Sequence, residues 1–208
     1  VIENTVNKGG GVFYPLSELK KLSELFRKNN LKIHLDGARI FNALAETGNK
    51  PTDVAELFDT ISFCLSKGLG APAGSLLLGN TETITEARRI RNKLGGAMRQ
   101  AGYFAAAGLY ALQNNLSRMK DDHENAKIIS DALMNNPFIK EVLAVPTNIV
   151  IAKTETNEIR NNLLENFRQK NLLAVPFGDC TLRMVTHLNI TREMTQRAAE
   201  IIESVKIQ

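Results

Sequence analysis

Asp59-Thr60-Ile61-Ser62-Phe63-Cys64-Leu65-Ser66-Lys67-Gly68-Leu69-Gly70 reads as a strand that runs directly into a glycine-rich turn. Residues 59–65 carry the β-branched and aromatic side chains that favour a strand. Gly68 and Gly70 allow the backbone to bend sharply and to approach a ligand. Upstream, Leu31-Lys32-Ile33-His34-Leu35-Asp36 alternates like a second short strand. Downstream, residues 73–79 form a third through Leu76-Leu77-Leu78. Helical patterns separate them. Residues 15–28 place Pro15 at the first helical position, repeat Leu16, Leu19, Leu22 and Leu25/Phe26 at helical spacing, and stop at Asn29-Asn30. Residues 38–46 form a helix closed by Gly48, and Pro51 opens a short one. This alternation predicts an α/β fold, with a largely parallel sheet covered by helices.

Beyond it come long helices at about 81–93, 98–114 and 116–135. The texture changes at Asn135-Asn136-Pro137, and a smaller α/β unit follows. Its expected strands are Val142–Val145, Asn148–Lys153 and Leu182–Val185. Its helices are about 155–170 and 191–206, the last with Met194, Ala198, Ile201, Ile202 and Val205 on one face. The expected division is 1–115 as part of a large domain and 116–208 as a small C-terminal domain with its linking helix.

The chain has 208 residues, 43% apolar and 23% charged, as in ordinary globular proteins. No stretch reaches the roughly 18 apolar residues of a membrane span. The first residue is Val1, and Val-Ile-Glu-Asn-Thr reads as the end of a strand already under way. An N-terminal segment is therefore expected to be missing. Two cysteines, Cys64 and Cys180, form no C-x-x-C pair. This argues against a metal or disulfide framework and suits a cytoplasmic location. The net charge is +4 and the basic run Arg88, Arg89, Arg91, Lys93, Arg99 is conspicuous. No aromatic residues interleave with it, so it reads as a solvated helical face, with no nucleic-acid partner.

Two segments carry chemistry. Lys67 follows a strand end among small residues, where an aldehyde cofactor can be held as an imine. A lysine in a loop is otherwise simply solvated. Asp36 also ends a strand, 31 positions earlier. In open α/β sheets ligands sit at the carboxyl ends of strands, so both side chains are expected in one crevice. A carboxylate there keeps a cofactor ring nitrogen protonated. Asp36 also suits the cap of a helix from Ala38, and the two uses are compatible.

HLDGAR, SFCLSKGLGAPAGSLLLGN, LGGAMRQAG and LRMVTHL, with the opening ENTVN and the stretch DDHENAK, together resemble the threonine aldolase (β-eliminating lyase) family from about residue 2 to 206. The resemblance implies a pyridoxal 5′-phosphate (PLP) enzyme of fold type I, a three-layer large domain, here N-terminally incomplete, plus a small C-terminal domain. It implies cleavage of L-threonine or L-allo-threonine to glycine and acetaldehyde. Lys67 matches the Schiff-base lysine and Asp36 the aspartate facing the pyridine nitrogen. Arg39 and Arg183 match arginines that hold the substrate carboxylate, a task suited to a guanidinium fork. Arg99 matches an arginine near the cofactor phosphate, and Ser66 is a further polar contact. A homo-oligomer, dimer or tetramer, is implied by analogy. Other PLP chemistry on the same scaffold, such as another lyase or an aminotransferase, and a truncated non-catalytic piece are the competing readings.

The family's phosphate cup, its ring-stacking histidine and its candidate histidine for the β-hydroxyl proton lie upstream of this sequence. The chain alone is therefore expected to bind PLP weakly or not at all. The remaining residues have plainer readings. His34 is expected to be structural, His187 to pack near the site, and His123 to be solvated on a charged helix. Gly9-Gly10-Gly11 reads as a flexible turn. Asn4, at a strand end, could touch the cofactor, although loop asparagines commonly serve turns.

Overall fold

The structure, a computed structural model, describes residues 1–206. Residues 207 and 208 of the expected C-terminal domain lie outside that range. The chain forms two compact units, Val1–Thr5 with Phe13–Ser117, and Val6–Val12 with Arg118–Gln208.

The first unit holds β1 (Ile2–Glu3), α1 (Leu16–Lys28), β2 (His34–Asp36), α2 (Ile40–Thr47), α3 (Pro51–Ala55), β3 (Thr60–Cys64), β4 (Ser75–Gly79), α4 (Thr81–Lys93) and α5 (Gly102–Asn114). Its sheet runs β1-β2-β3-β4. β1, β2 and β3 are parallel, with Leu35 opposite both Ile2 and Ile61. These central residues are apolar and buried, as a sheet covered on both faces requires. The sheet is largely parallel, as expected; the exception is β4, which pairs antiparallel with β3, Phe63 facing Leu76. The cause is length: residues 65–74 between them contain no helix, and a parallel return needs a crossover of about a dozen residues or more.

Leu76, Leu77 and Leu78 of β4 are 40–45% exposed, and α4 buries no side chain. α5 starts at Gly102 rather than 98, because Gly95 at φ 75° and Gln100 at φ 52° keep the intervening chain out of a helix. Gly48 takes the left-handed conformation that closes α2.

The second unit holds α6 (Met119–Met134), β5 (Glu141–Val142), β6 (Ile149–Lys153), α7 (Asn157–Gln169), β7 (Val175–Pro176), β8 (Thr181–Val185) and α8 (Arg192–Ser204). Its sheet, β5-β6-β8-β7, is antiparallel throughout. β7 went unforeseen because it is two residues long. Thr156 and Thr191 cap α7 and α8 through their hydroxyls. The core gathers Leu133, Val150, Leu163, Phe167, Leu182 and Ile202, each fully buried. Truncating one of them to alanine costs about 2–5 kcal/mol. Met194, expected on the buried face of α8, is 56% exposed. His123, expected in solvent, is 1% exposed, because α6 is covered by both α8 and β6.

Candidate active site

The carboxyl ends of β1, β2 and β3 are neighbours in the first unit, and the site residues of that unit follow from them. Glu3 is opposite Asp36, and Asp36 is opposite Ser62. The chain leaves β2 at Asp36 and turns at once. The Gly37 N–H donates to the Ser62 carbonyl at 2.8 Å, and the Ala38 N–H donates to Asp36 Oδ1 at 3.2 Å. A Cβ on residue 37 would stand 3.0 Å from the Ser62 carbonyl oxygen, so glycine suits the close crossing. Asp36 thus caps the turn; α2 itself starts later, at Ile40, with Arg39 as its N-cap residue.

β3 ends at Cys64 and delivers Ser66 and Lys67 onto a closed loop. The Ala71 N–H donates to the Leu65 carbonyl at 3.0 Å, and the Gly70 N–H, at φ 77°, donates to the Lys67 carbonyl at 2.9 Å. Leu69 is 2% exposed, and its carbonyl accepts from Asn115 Nδ2 at 2.8 Å. The loop is pinned from below while the Ser66 and Lys67 side chains are exposed. An anchored backbone under a projecting amine is the arrangement a covalent cofactor link requires.

Arg39 is half-buried, three residues after Asp36 on the same turn. Arg99 lies in the exposed connection between α4 and α5 and makes no ion pair among the described residues. Arg183 belongs to the second unit. It lies on β8, half-buried, opposite Ile151 of β6 and Val175 of β7. The structure therefore groups Asp36, Arg39, Ser66 and Lys67 on adjacent strand ends, and sets Arg183 on a separate sheet.

Histidines take supporting positions. His34 Nδ1 lies 2.8 Å from Thr60 Oγ1 and Nε2 lies 3.3 Å from Ser62 Oγ, so both ring nitrogens are engaged across the sheet. His187 is exposed and lines a cavity of about 800 Å³ with Met184, Ile190, Met194, Ala198 and Ile201. That cavity is lined by a mixture of apolar and charged residues and contains none of the expected site residues, so its volume does not make it the catalytic pocket. Asn4, 2% exposed, accepts from the Tyr14 N–H at 3.3 Å and serves the turn.

Asp59 and Asp122 are perturbed carboxylates away from these strand ends. The Ile33 N–H and the Lys32 ammonium hold Asp59 below the usual carboxylate range. Burial pushes Asp122 upward, against the pull of the Arg118 guanidinium that pairs with it. Both are structural ties.

PLP needs an amine, an acceptor for its ring N–H and polar contacts at one sheet edge. The residues present fit those needs. The Lys67 side chain is exposed, Asp36 Oδ2 accepts nothing from the described residues, and Thr5 Oγ1, just past β1, is buried with no partner. No group of three or more histidine, cysteine or acidic side chains among the described residues could hold a metal. No described helix is long and apolar enough to cross a membrane.

The chain matches the model of the family described as Beta-eliminating lyase over residues 1–157. It is 40% identical over 200 residues to the low specificity L-threonine aldolase of Escherichia coli K12, covering 95% of this chain and 57% of that protein. Among solved structures, a protein from Exiguobacterium sp. 255-15 superposes with a TM-score of 0.82 at 23% identity, over 97% of this chain and 60% of the other. The threonine aldolase of Leishmania major superposes with a TM-score of 0.76 at 20% identity, over 97% and 59%. The chain thus spans somewhat over half the length of the relatives it matches.

Proposed function

This chain belongs to the β-eliminating lyase family, and on that premise we propose that it carries part of the active site of a PLP-dependent aldolase. The substrate is L-threonine or L-allo-threonine, and the products are glycine and acetaldehyde. The coenzyme, when bound, supplies an electron sink for the Cα–Cβ bond that breaks.

The chain's own residues take these parts. Lys67 provides the amine that anchors the coenzyme and yields it to the substrate amine. Asp36, through Oδ2, holds a proton on the pyridine nitrogen. Arg39 and Arg183 orient the substrate carboxylate, so that the scissile bond stands across the ring plane. Arg99 offsets phosphate charge, and Ser66 adds a polar contact beside the anchor. The observation that carries this reading is the shared exit of Asp36 and Lys67 from adjacent parallel strands.

We extend the proposal to assembly and location. The exposed Leu76–Leu78 of β4 and Leu109 and Tyr110 of α5 offer apolar surface for a homodimer or homotetramer. The two free cysteines are compatible with the cytoplasm.

The test is to incubate the chain with PLP, reduce with borohydride and map the modified peptide by mass. A coenzyme adduct confined to Lys67, lost in Lys67→Ala, is the expected result. Adducts on other exposed lysines at levels equal to or above Lys67 would overturn the assignment. Acetaldehyde release from L-threonine, compared with products from serine and alanine, then tests the reaction itself.

A further inference from the structure

Among the described residues, the guanidinium of Arg183 is held by neutral partners, all within the second unit. Its Nη1 donates to Asn7 Oδ1 at 3.1 Å. Its Cζ lies 4.7 Å from the centroid of the Phe177 ring. Its Nε is buried and has no hydrogen-bond partner among the described residues. No carboxylate pairs with it among the described residues.

Each contact has a fixed base. Asn7 sits in the turn closed by the Val6–Val12 bridge, where the Gly11 carbonyl accepts from Thr147 Oγ1 at 2.9 Å. Phe177 follows β7, and its N–H donates to the Thr181 carbonyl at 2.9 Å, which locks the β7–β8 turn beneath the guanidinium. A buried arginine nitrogen without a partner is unfavourable and calls for a reason. Here Nε is covered and one face lies against an aromatic ring. Nη2, which has no partner among the described residues and is not fully covered, is therefore the end of this half-buried side chain left open to a ligand.

We propose that Asn7 and Phe177 are positioning residues. They set the plane and roll of Arg183 so that its open end, with its positive charge unspent, receives a carboxylate. The proposal rests on the reading of Arg183 as a substrate arginine and adds the device that prepares it. An amide oxygen takes one N–H without neutralising the cation, and an aromatic face attracts the cation without offering a competing acceptor. An aspartate at position 7 would keep the acceptor geometry but neutralise the charge that the ligand needs.

The experiment follows the arginine Nε–Hε resonances of the chain by nitrogen-15 NMR, with Arg183 identified by its loss in Arg183→Lys, during titration with sodium acetate. Asn7→Asp is expected to weaken acetate binding at least about tenfold with an unchanged melting temperature, and more than Asn7→Ala does. Phe177→Leu is expected to weaken it several-fold while the core stays intact. A merely structural role for Asn7 would be rescued by aspartate. Acetate binding in Asn7→Asp equal to wild type, or stronger than in Asn7→Ala, overturns the proposal. The underlying reading fails separately: an Arg183 resonance that ignores acetate removes it.

Discussion

Asp36 and Lys67 leave the first sheet in the same direction, on neighbouring strands: Asp36 lies opposite Ser62 in parallel register, and Lys67 follows Ser62 by five residues. Their elements differ in what fixes them. Asp36 is tied by its own turn, through Ala38 and Gly37, whereas Lys67 is tied by the burial of Leu69 and by a side chain from the end of α5.

That difference separates charge from structure at position 36. Asp36→Asn keeps an acceptor for the Ala38 N–H, so denaturant unfolding should change by under about 0.5 kcal/mol. Asp36→Ala leaves that N–H without its partner and should cost about 1 kcal/mol. Both should lower PLP affinity, followed by coenzyme fluorescence, by at least about tenfold, since each removes the charge that pairs with the ring N–H. Unaltered uptake by Asp36→Asn would remove Asp36 from the cofactor site.

Asn115→Ala removes the amide that holds the Leu69 carbonyl. Leaving that acceptor unpaired should cost about 1–3 kcal/mol. Amide exchange at Gly70 and Ala71, whose N–H groups close the Lys67 loop, should accelerate more than exchange in β3. Uniform acceleration across the sheet would show global destabilisation instead of a loosened loop.

Arg118→Met strands the fully buried Asp122 carboxyl. Removing one partner of a buried pair should cost about 3–5 kcal/mol near neutral pH. The sign with pH follows from the upward shift that burial imposes on Asp122. A raised carboxyl binds its proton more readily in the folded state than in the unfolded one. Its penalty is therefore absent below the unfolded pKa and grows as pH rises through the folded pKa. Without Arg118 the shift is larger, so the variant's deficit should shrink as pH falls. Urea unfolding between about pH 4 and about pH 8 checks this. Asp59 has the opposite sign: its tie to Ile33 and Lys32 stabilises above its unfolded pKa and is lost as pH falls through its lowered one.

Gly11 and Gly48 both have positive φ, 81° and 70°, but differ in surroundings. A Cβ at Gly11 would stand 2.1 Å from Thr147 Oγ1, whereas one at Gly48 meets nothing within 4 Å. Gly48→Ala should cost about 1 kcal/mol from backbone strain alone. Gly11→Ala should cost about 2–4 kcal/mol, because overpacking adds to that strain. Thermal unfolding of the two variants side by side decides it.

Much of the fold could be read from residue order because local signals agreed with tertiary ones. The 81–93 helix appears with its expected bounds, capped by Asn80, whose side chain accepts from the Thr83 N–H at 2.8 Å. His34 lies along a strand, as expected, with both ring nitrogens engaged across the sheet. The direction of β4 was also legible in principle, since the short stretch after Leu65 leaves no room for a crossover helix. The triple glycine lies in the turn expected of it, but it also has a role that residue order hides. Gly11 is the point where the chain passes against Thr147, a contact 136 residues away in sequence that no local pattern reveals. The same holds for the Asn7–Arg183 pair, separated by 176 positions. His123 misled because the exposed charges Asp121, Glu124 and Lys127 mark one side of α6, and the histidine is buried with Asp122.

The return of residues 6–12 to the second unit has a practical corollary for dissecting the protein. A clone beginning at Arg118 would look like a natural subdomain, yet it would lack the segment that supplies Asn7 and the Gly11 carbonyl. Thr147 would then lose the acceptor that Gly11 provides, and Arg183 its hydrogen bond to Asn7. An autonomous version of that module needs the 6–12 peptide restored, either added in trans or spliced on by a short linker.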